Sequence, residues 1–312
     1  MKVNKVCIIG GSGFVGRHIA NLLTTQEINV CIPTRHRERA KELLVLPTAD
    51  VVQANVHDDA ELDRLLIGMD AVINLVGILH GDFRSTHVEL PRKIVAACTR
   101  NGITRLLHMS ALNAGAGRPS EYLRSKGEGE RIVMTSGLST TCFRPSVIFG
   151  PADSSLSLFA KLARLPVLPL ASPDAKFQPV FVENVAHAFA ASLAAPNTFG
   201  QCYDLCGPEC RSLRQLVEYA AHVTGHDPFI IGLNDTFSYL QALMMEFLPG
   251  KLMTRDNYYS MKVDSVCDCY GPNTLAEGWS IHPAALEEVA PLYLANRMPR
   301  ERYGRYRHRA GR

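Results

Sequence analysis

The apolar run Val6–Ile9 breaks into Gly10-Gly-Ser-Gly13-Phe-Val-Gly16 and then into a helical pattern. That G-x-x-G-x-x-G spacing, set between a strand and a helix, leaves few folds open. Glycines let the backbone turn tightly, approach a pyrophosphate and seat the helix on the strand. The helix N-terminus then offers free N–H groups and a positive dipole end to phosphates. The turn therefore assigns Gly10, Ser12, Gly13, Phe14, Val15 and Gly16 to a dinucleotide site.

The rhythm that follows agrees with this. Short apolar runs at Val6–Ile9, Val30–Pro33, Val51–Ala54, Ala71–Leu75, Leu106–Met109 and Thr140–Phe143 alternate with helical patterns at 14–25, 37–46, 59–67, 87–101 and 122–136. The runs are nearly unbroken rather than alternating, as expected for parallel strands covered on both faces. This predicts an α/β chain with a Rossmann-type, doubly wound parallel sheet. After Gly150-Pro151 the rhythm loosens. Helices are expected near 155–165, 183–195, 212–224, 235–247, 255–262 and 284–294, with strands at Val180–Val182 and Cys202–Leu205. The expected organisation is a nucleotide-binding domain over 1–150, a smaller α/β lobe over 151–296, interleaved with and packed on the first, and a disordered Arg-rich tail over 297–312.

The end of the second strand bears on which dinucleotide fits. An NAD site usually places Asp or Glu there for the ribose 2′-hydroxyl. This chain has Thr34-Arg35-His36-Arg37, and guanidinium groups suit a 2′-phosphate. Arg35 and Arg37 favour NADP(H) over NAD(H), with Arg39 read as the solvated face of the next helix. Asn55 and Val56, ending strand three, are placed at the adenine. Leu75, Val76 and Gly77, ending strand four, are placed at the ribose and pyrophosphate.

Tyr122-Leu-Arg-Ser-Lys126 puts Tyr and Lys on one helix face. An ammonium near a phenol favours the phenolate, so Tyr122 is a candidate acid/base toward a carbonyl or alcohol, tuned by Lys126. Ser110, ending strand five, is the candidate that orients the substrate oxygen. His80, His87 and His108 are read as ordinary helix or strand residues.

With Gly10–Gly16, Ser110, Tyr122/Lys126 and Arg144-Pro-Ser-Val-Ile-Phe-Gly-Pro151, the sequence resembles the short-chain dehydrogenase/reductase family in its extended or atypical branch. The resemblance implies that Pro145 and Val147 line the nicotinamide. Pro179–Ala186 is similar to the family's V-x-D-V-A segment, with Asn184 where Asp is usual. Asn74–Leu79, His87–Pro91, Leu107–Leu112, Glu121–Lys126, Met253–Asp256 and Leu286–Leu294 resemble the NADPH-binding accessory subunits of respiratory complex I and their free-standing bacterial relatives. This likeness runs over about residues 5–296. It implies tightly held NADPH and a link to ubiquinone biosynthesis or to a respiratory-complex partner. Ala111 stands where extended members often carry a second Ser.

Three functions follow as expectations. The first is an NADP(H)-dependent oxidoreductase on an apolar, quinone-like small molecule. The second is a non-enzymatic accessory or assembly subunit. The third is a sugar-nucleotide epimerase or dehydratase, which would need Arg211, Arg214 and Arg255 as a clamp for a second pyrophosphate.

Charge and cysteines narrow the setting. The net charge of +3 conceals a tail, 297–312, with seven Arg and one Glu, on a body of 296 residues with net charge −3. The body thus offers no nucleic-acid face, while the tail suits peripheral contact with anionic lipid. Nine scattered cysteines read as reduced thiols. Cys202, Cys206, Cys210, Cys267 and Cys269 lack zinc-knuckle spacing, so no metal is expected. No apolar leader precedes the first strand, and the longest apolar stretch, Phe237–Leu248, is too short to span a bilayer. The expected location is cytoplasmic, peripheral at the inner face of the membrane.

Overall fold

The computed structural model describes residues 2–248, 251–267, 279 and 281–295, and two compact units divide the chain. The tail at 297–312 lies outside the described residues. The first unit comprises Met1–Ser146, Val182–Cys206 and Cys267–His282. Its sheet has seven parallel strands: β1 (Lys5–Ile9), β2 (Asn29–Thr34), β3 (Ala49–Gln53), β4 (Ala71–Asn74), β5 (Arg105–Met109), β6 (Ser139–Pro145) and β7 (Gln201–Leu205). Their spatial order is β7-β6-β5-β4-β1-β2-β3. The order reverses at β1, which pairs with β2 on one side and β4 on the other. Ligands of open α/β sheets sit at such a switch point, beyond the carboxyl ends of the strands.

Burial explains the unbroken apolar runs. On one face Cys7, Ile9, Val72 and Leu106 form a core with Leu62 and Leu66 of α2 (Asp59–Leu66) and Ile94 and Ala97 of α3 (Leu90–Arg100). Each fully buried leucine contributes about 1.5–3 kcal/mol. Two further helices, α1 (Phe14–Thr25) and α5 (Val182–Ser192), pack against each other. The buried Ser120 side chain caps α4 (Glu121–Met134) by accepting from Leu123 N at 3.1 Å.

Two expectations fail in this unit. The helix foreseen over 37–46 shrinks to a 3-10 turn at Arg37–Arg39 followed by turns. Ala40 and Leu43 are buried, but Leu44 and Val45 face solvent, so no continuous stripe exists to hold a helix. The cysteines are not all thiols either, since Cys206 and Cys267 form a disulfide between the end of β7 and a segment 61 residues later. Cys202 instead pairs in register with Cys142 of β6. Cys142, Cys202 and Glu130 bring metal-ligating atoms together, but Arg144 already engages the Glu130 carboxylate.

The second unit comprises Val147–Phe181, Gly207–Val266 and Pro283–Arg312. Its core gathers Phe149, Leu156, Leu216, Leu286, Ala290 and Leu294. Helix Leu213–Thr224 starts at a Ser212/Gln215 capping box and ends at left-handed Gly225. Val167–Leu170 and Phe229–Gly232 form a parallel ribbon that the sequence reading missed. The three clamp candidates are all engaged. Arg211 pairs with Glu209 at 2.5 Å and with Glu287, Arg214 with Glu218 at 3.8 Å, and Arg255 with Glu246 at 2.8 Å.

Candidate functional site

The glycine turn sits at the switch point. Gly10 has φ +85°, and a Cβ on it would meet the Leu75 carbonyl carbon and Val76 N at 3.2 Å. A Cβ on Gly16 would lie 2.5 Å from Gly11 Cα, so only glycine lets α1 start this close to the turn. No side chain caps the α1 N-terminus at Gly13, and its first turn holds no acid. Those N–H groups are therefore open to an anion. Val15 is buried, while Phe14 is half-buried, its ring edge-on to His18. The Leu75–Gly77 wall is shaped by buried Asn74, whose Oδ1 accepts from Val76 N at 3.2 Å.

Beyond the turn lies a cavity of about 430 Å³. Gly10, Ser12, Arg35, Asn55, Val56 and Val76 line it, as do Arg17, His36, Arg39, His57 and Ile78. No Asp or Glu is among the lining residues. Arg17 pairs with Glu42 and His36 with Glu38 at 3.5 Å, whereas Arg35 and Arg39 have no carboxylate partner among the described residues. Burial lowers the His57 pKa first, and the Lys93 and Arg35 charges lower it further. The cavity is thus an electropositive recess.

A buried network lies at β4 and β5 of the same unit. Lys126 is 3% exposed, and its Nζ donates to Met109 O at 3.0 Å and Val76 O at 3.4 Å. Burial pulls its pKa down to about 8. Ser110 is buried, with no hydrogen-bond partner for its Oγ among the described residues. Tyr122, one turn before Lys126, meets the His87 ring edge-on at 5.6 Å and the Phe83 ring at 6.2 Å. His87 accepts from Ile78 N through Nε2 at 3.0 Å, so its proton sits on Nδ1, 2.9 Å from Ser125 Oγ. That hydroxyl donates to Tyr122 O at 2.9 Å. Burial pushes the His87 pKa down to about 3, with the Lys126 charge adding to it. His108 is held neutral for the same reasons, at about 3.

His87 reaches α4 through a π-helical turn, Ser85–Glu89. A Cβ on Gly129 of α4 would lie 2.0 Å from His87 O, so this approach needs glycine. The sequence pattern predicts an ordinary helix over 87–101, with His87 at its start. A π turn has no local sequence signature, although Gly129 in mid-helix was an available signal.

Of the residues expected at the site, Gly10, Ser12, Arg35, Asn55, Val56 and Val76 line the cavity, and Lys126 is joined to Val76 by a hydrogen bond. Arg37 and Arg39 are both exposed, as expected for Arg39, and of the two only Arg39 is among the residues that line the cavity. Without the expected helix, the turn at 37–39 sends Arg39 rather than Arg37 back toward β2. Pro145 ends β6, and its carbonyl accepts from Leu112 N at 3.1 Å. Val147 falls in the second unit.

Comparison with known proteins bears on this cavity. Residues 10–159 match the NAD(P)H-binding family. Residues 10–159 thus form an NAD(P)H-binding domain, and the sheet order is that of a Rossmann-type α/β fold. More particularly, the chain is similar to mitochondrial NADH dehydrogenase [ubiquinone] 1 alpha subcomplex subunit 9 from Rattus norvegicus, at 31% identity over 72% of this chain and 62% of the relative. It is also similar to a ceramide reductase of Caulobacter vibrioides, at 28% identity over 74% of each. An Escherichia coli NADPH-dependent quinone oxidoreductase solved with NADPH shares the fold, with TM-score 0.74 and 20% identity over 92% of this chain and 99% of that one. The chain spans about three-fifths of the length of the mitochondrial relatives it matches. No described helix is long and apolar enough to cross a membrane.

Proposed function

We propose that the chain is an NADP(H)-dependent oxidoreductase acting on an apolar carbonyl or quinone-related small molecule. The observations that carry this reading are the buried Lys126 ammonium, which donates to Val76 O and to Met109 O, and the buried hydroxyl of Ser110, next in sequence to Met109, which has no hydrogen-bond partner among the described residues. A buried hydroxyl left unpaired is costly, and a substrate oxygen would satisfy it.

In this reading the Gly10–Gly16 turn, with Ser12 and the α1 N-terminus, holds the pyrophosphate. Arg35 and Arg39 hold a 2′-phosphate, which favours NADP(H). Asn55 and Val56 flank the adenine, and Leu75–Gly77 flank the ribose. Bound nicotinamide supplies the hydride. Ser110 Oγ donates a hydrogen bond to the substrate oxygen, and Tyr122 hands its phenolic proton to that oxygen. The Lys126 charge favours the phenolate that Tyr122 leaves behind. His87 stays neutral and holds the Ser125–Tyr122 backbone in place. The likeness to a ceramide reductase supports an apolar substrate.

The assay is NADPH oxidation with a panel of quinones and long-chain ketones, on the wild type and on Tyr122→Phe. The reading expects turnover in the wild type that the variant loses. Equal slow turnover in both overturns it.

A second reading rests on the likeness to complex I subunits and on Ala111 in place of a second Ser. Here the chain holds NADPH as a stabilising ligand and docks a respiratory-complex or quinone-biosynthesis protein at the cytoplasmic face of a membrane. Tight NADPH binding with no turnover, and co-purification with a respiratory complex, would favour it.

A further inference from the structure

Helix Asp235–Glu246 of the second unit turns its apolar stripe outward. Phe237, Leu240, Met244 and, just past its end, Phe247 and Leu248 are all exposed, Phe247 by 81%. At about 100° per residue these five side chains fall within one arc of about 100°. The buried residues of the helix, Ser238 and Ala242, lie on the other side and are small. A surface helix ordinarily does the reverse and hides such a stripe.

The helix is fixed in this orientation. Asn234 caps it by accepting from Phe237 N at 3.0 Å, Ser238 Oγ accepts from Ser172 N at 3.1 Å, and Gln241 Nε2 donates to Pro169 O at 2.9 Å. The ribbon that carries Pro169 also exposes Val167, Phe229 and Ile231. An apolar area of this kind marks an interaction surface.

We propose that this face docks on an anionic lipid bilayer. Charge selects that occupant. Exposed Lys251 stands between Leu248 and Leu252 at the end of the stripe. Beyond the described helix Leu286–Leu294 of the same unit, the sequence runs on into 297–312, with seven Arg and one Glu. An apolar face plus a polybasic segment is the two-signal combination that holds a protein at an anionic membrane surface. The inference stands apart from the reading of the nucleotide site, because vesicle binding is read without turnover.

The test is co-sedimentation of the full chain with phosphatidylcholine vesicles, with and without about one-third phosphatidylglycerol. Two variants accompany it, Met244→Glu/Phe247→Glu and a full-length chain with the seven tail arginines changed to glutamine. Both alter exposed or terminal positions, and thermal melting checks that each is folded. The wild type should bind the anionic vesicles about tenfold more tightly than the neutral ones. The double variant should lose about tenfold or more, and the tail variant should fall to the neutral-vesicle level. A wild type that ignores anionic vesicles, or a double variant that binds them equally well, overturns the proposal. A wild-type dimer by light scattering that the double variant breaks assigns the face to a second copy and overturns it too.

Discussion

The cavity walls include Arg35 and Arg39, exposed and unpaired with any described carboxylate. In the buried network Ser110, Lys126, His87 and His108 are each 3% exposed or less, with Lys126 bonded to Val76 and Met109 and His87 to Ile78 and Ser125. Exposed cations can bind a phosphate while the fold around them tolerates change, because each acts nearly alone. Lys126 and His87 cannot be altered singly without leaving a buried neighbour unsatisfied. The cavity therefore suits recognition and tuning of affinity, and the buried network suits chemistry that needs fixed positions.

The sharpest way to break the contrast is at the glycine turn. Gly16→Val would drive a side chain into Gly11 backbone. It should abolish nucleotide binding and destabilise the protein by about 1–3 kcal/mol or more, as read by titration and thermal melting. Tyr122→Phe sharpens the contrast, because it should cost about 10²–10⁴ in turnover while leaving the NADPH dissociation constant within about threefold.

Acid should strike the buried network. His87 and His108 have folded pKa values of about 3, below an unfolded value near 6.5. Their neutral forms contribute stability that is fully present above about pH 6.5. It is lost as pH falls through that value toward 3, by about 1.4 kcal/mol per group per pH unit. Melting curves at pH 7.5 and pH 5 should differ by about 4 kcal/mol from this pair, and His108→Gln should remove part of the loss.

The sequence made the sheet legible because both-face burial leaves unbroken apolar runs, and β1 to β6 follow them closely. The glycine turn was legible because its spacing is a backbone requirement. Lys126 was placed by simple helix periodicity. His87 was missed because a π turn and a helix share the same residue preferences. Arg37 and Arg39 are both exposed, and Arg39 lines the cavity because a turn stands where a helix was expected. The disulfide joins residues 61 positions apart, a contact that local pattern cannot show. In the second unit, core residues come from short ribbons and dispersed helices, and little of that is periodic.

The smallest of the expected effects tests the central claim most directly. Fluorescence titration of NADPH and NADH, on the wild type and on Arg35→Ala, reads the cavity alone. Tighter NADPH binding in the wild type, weakened about tenfold by the substitution with NADH binding unchanged, is the predicted result. Equal affinity for the two nucleotides, or a preference for NADPH that survives the loss of Arg35, would contradict it.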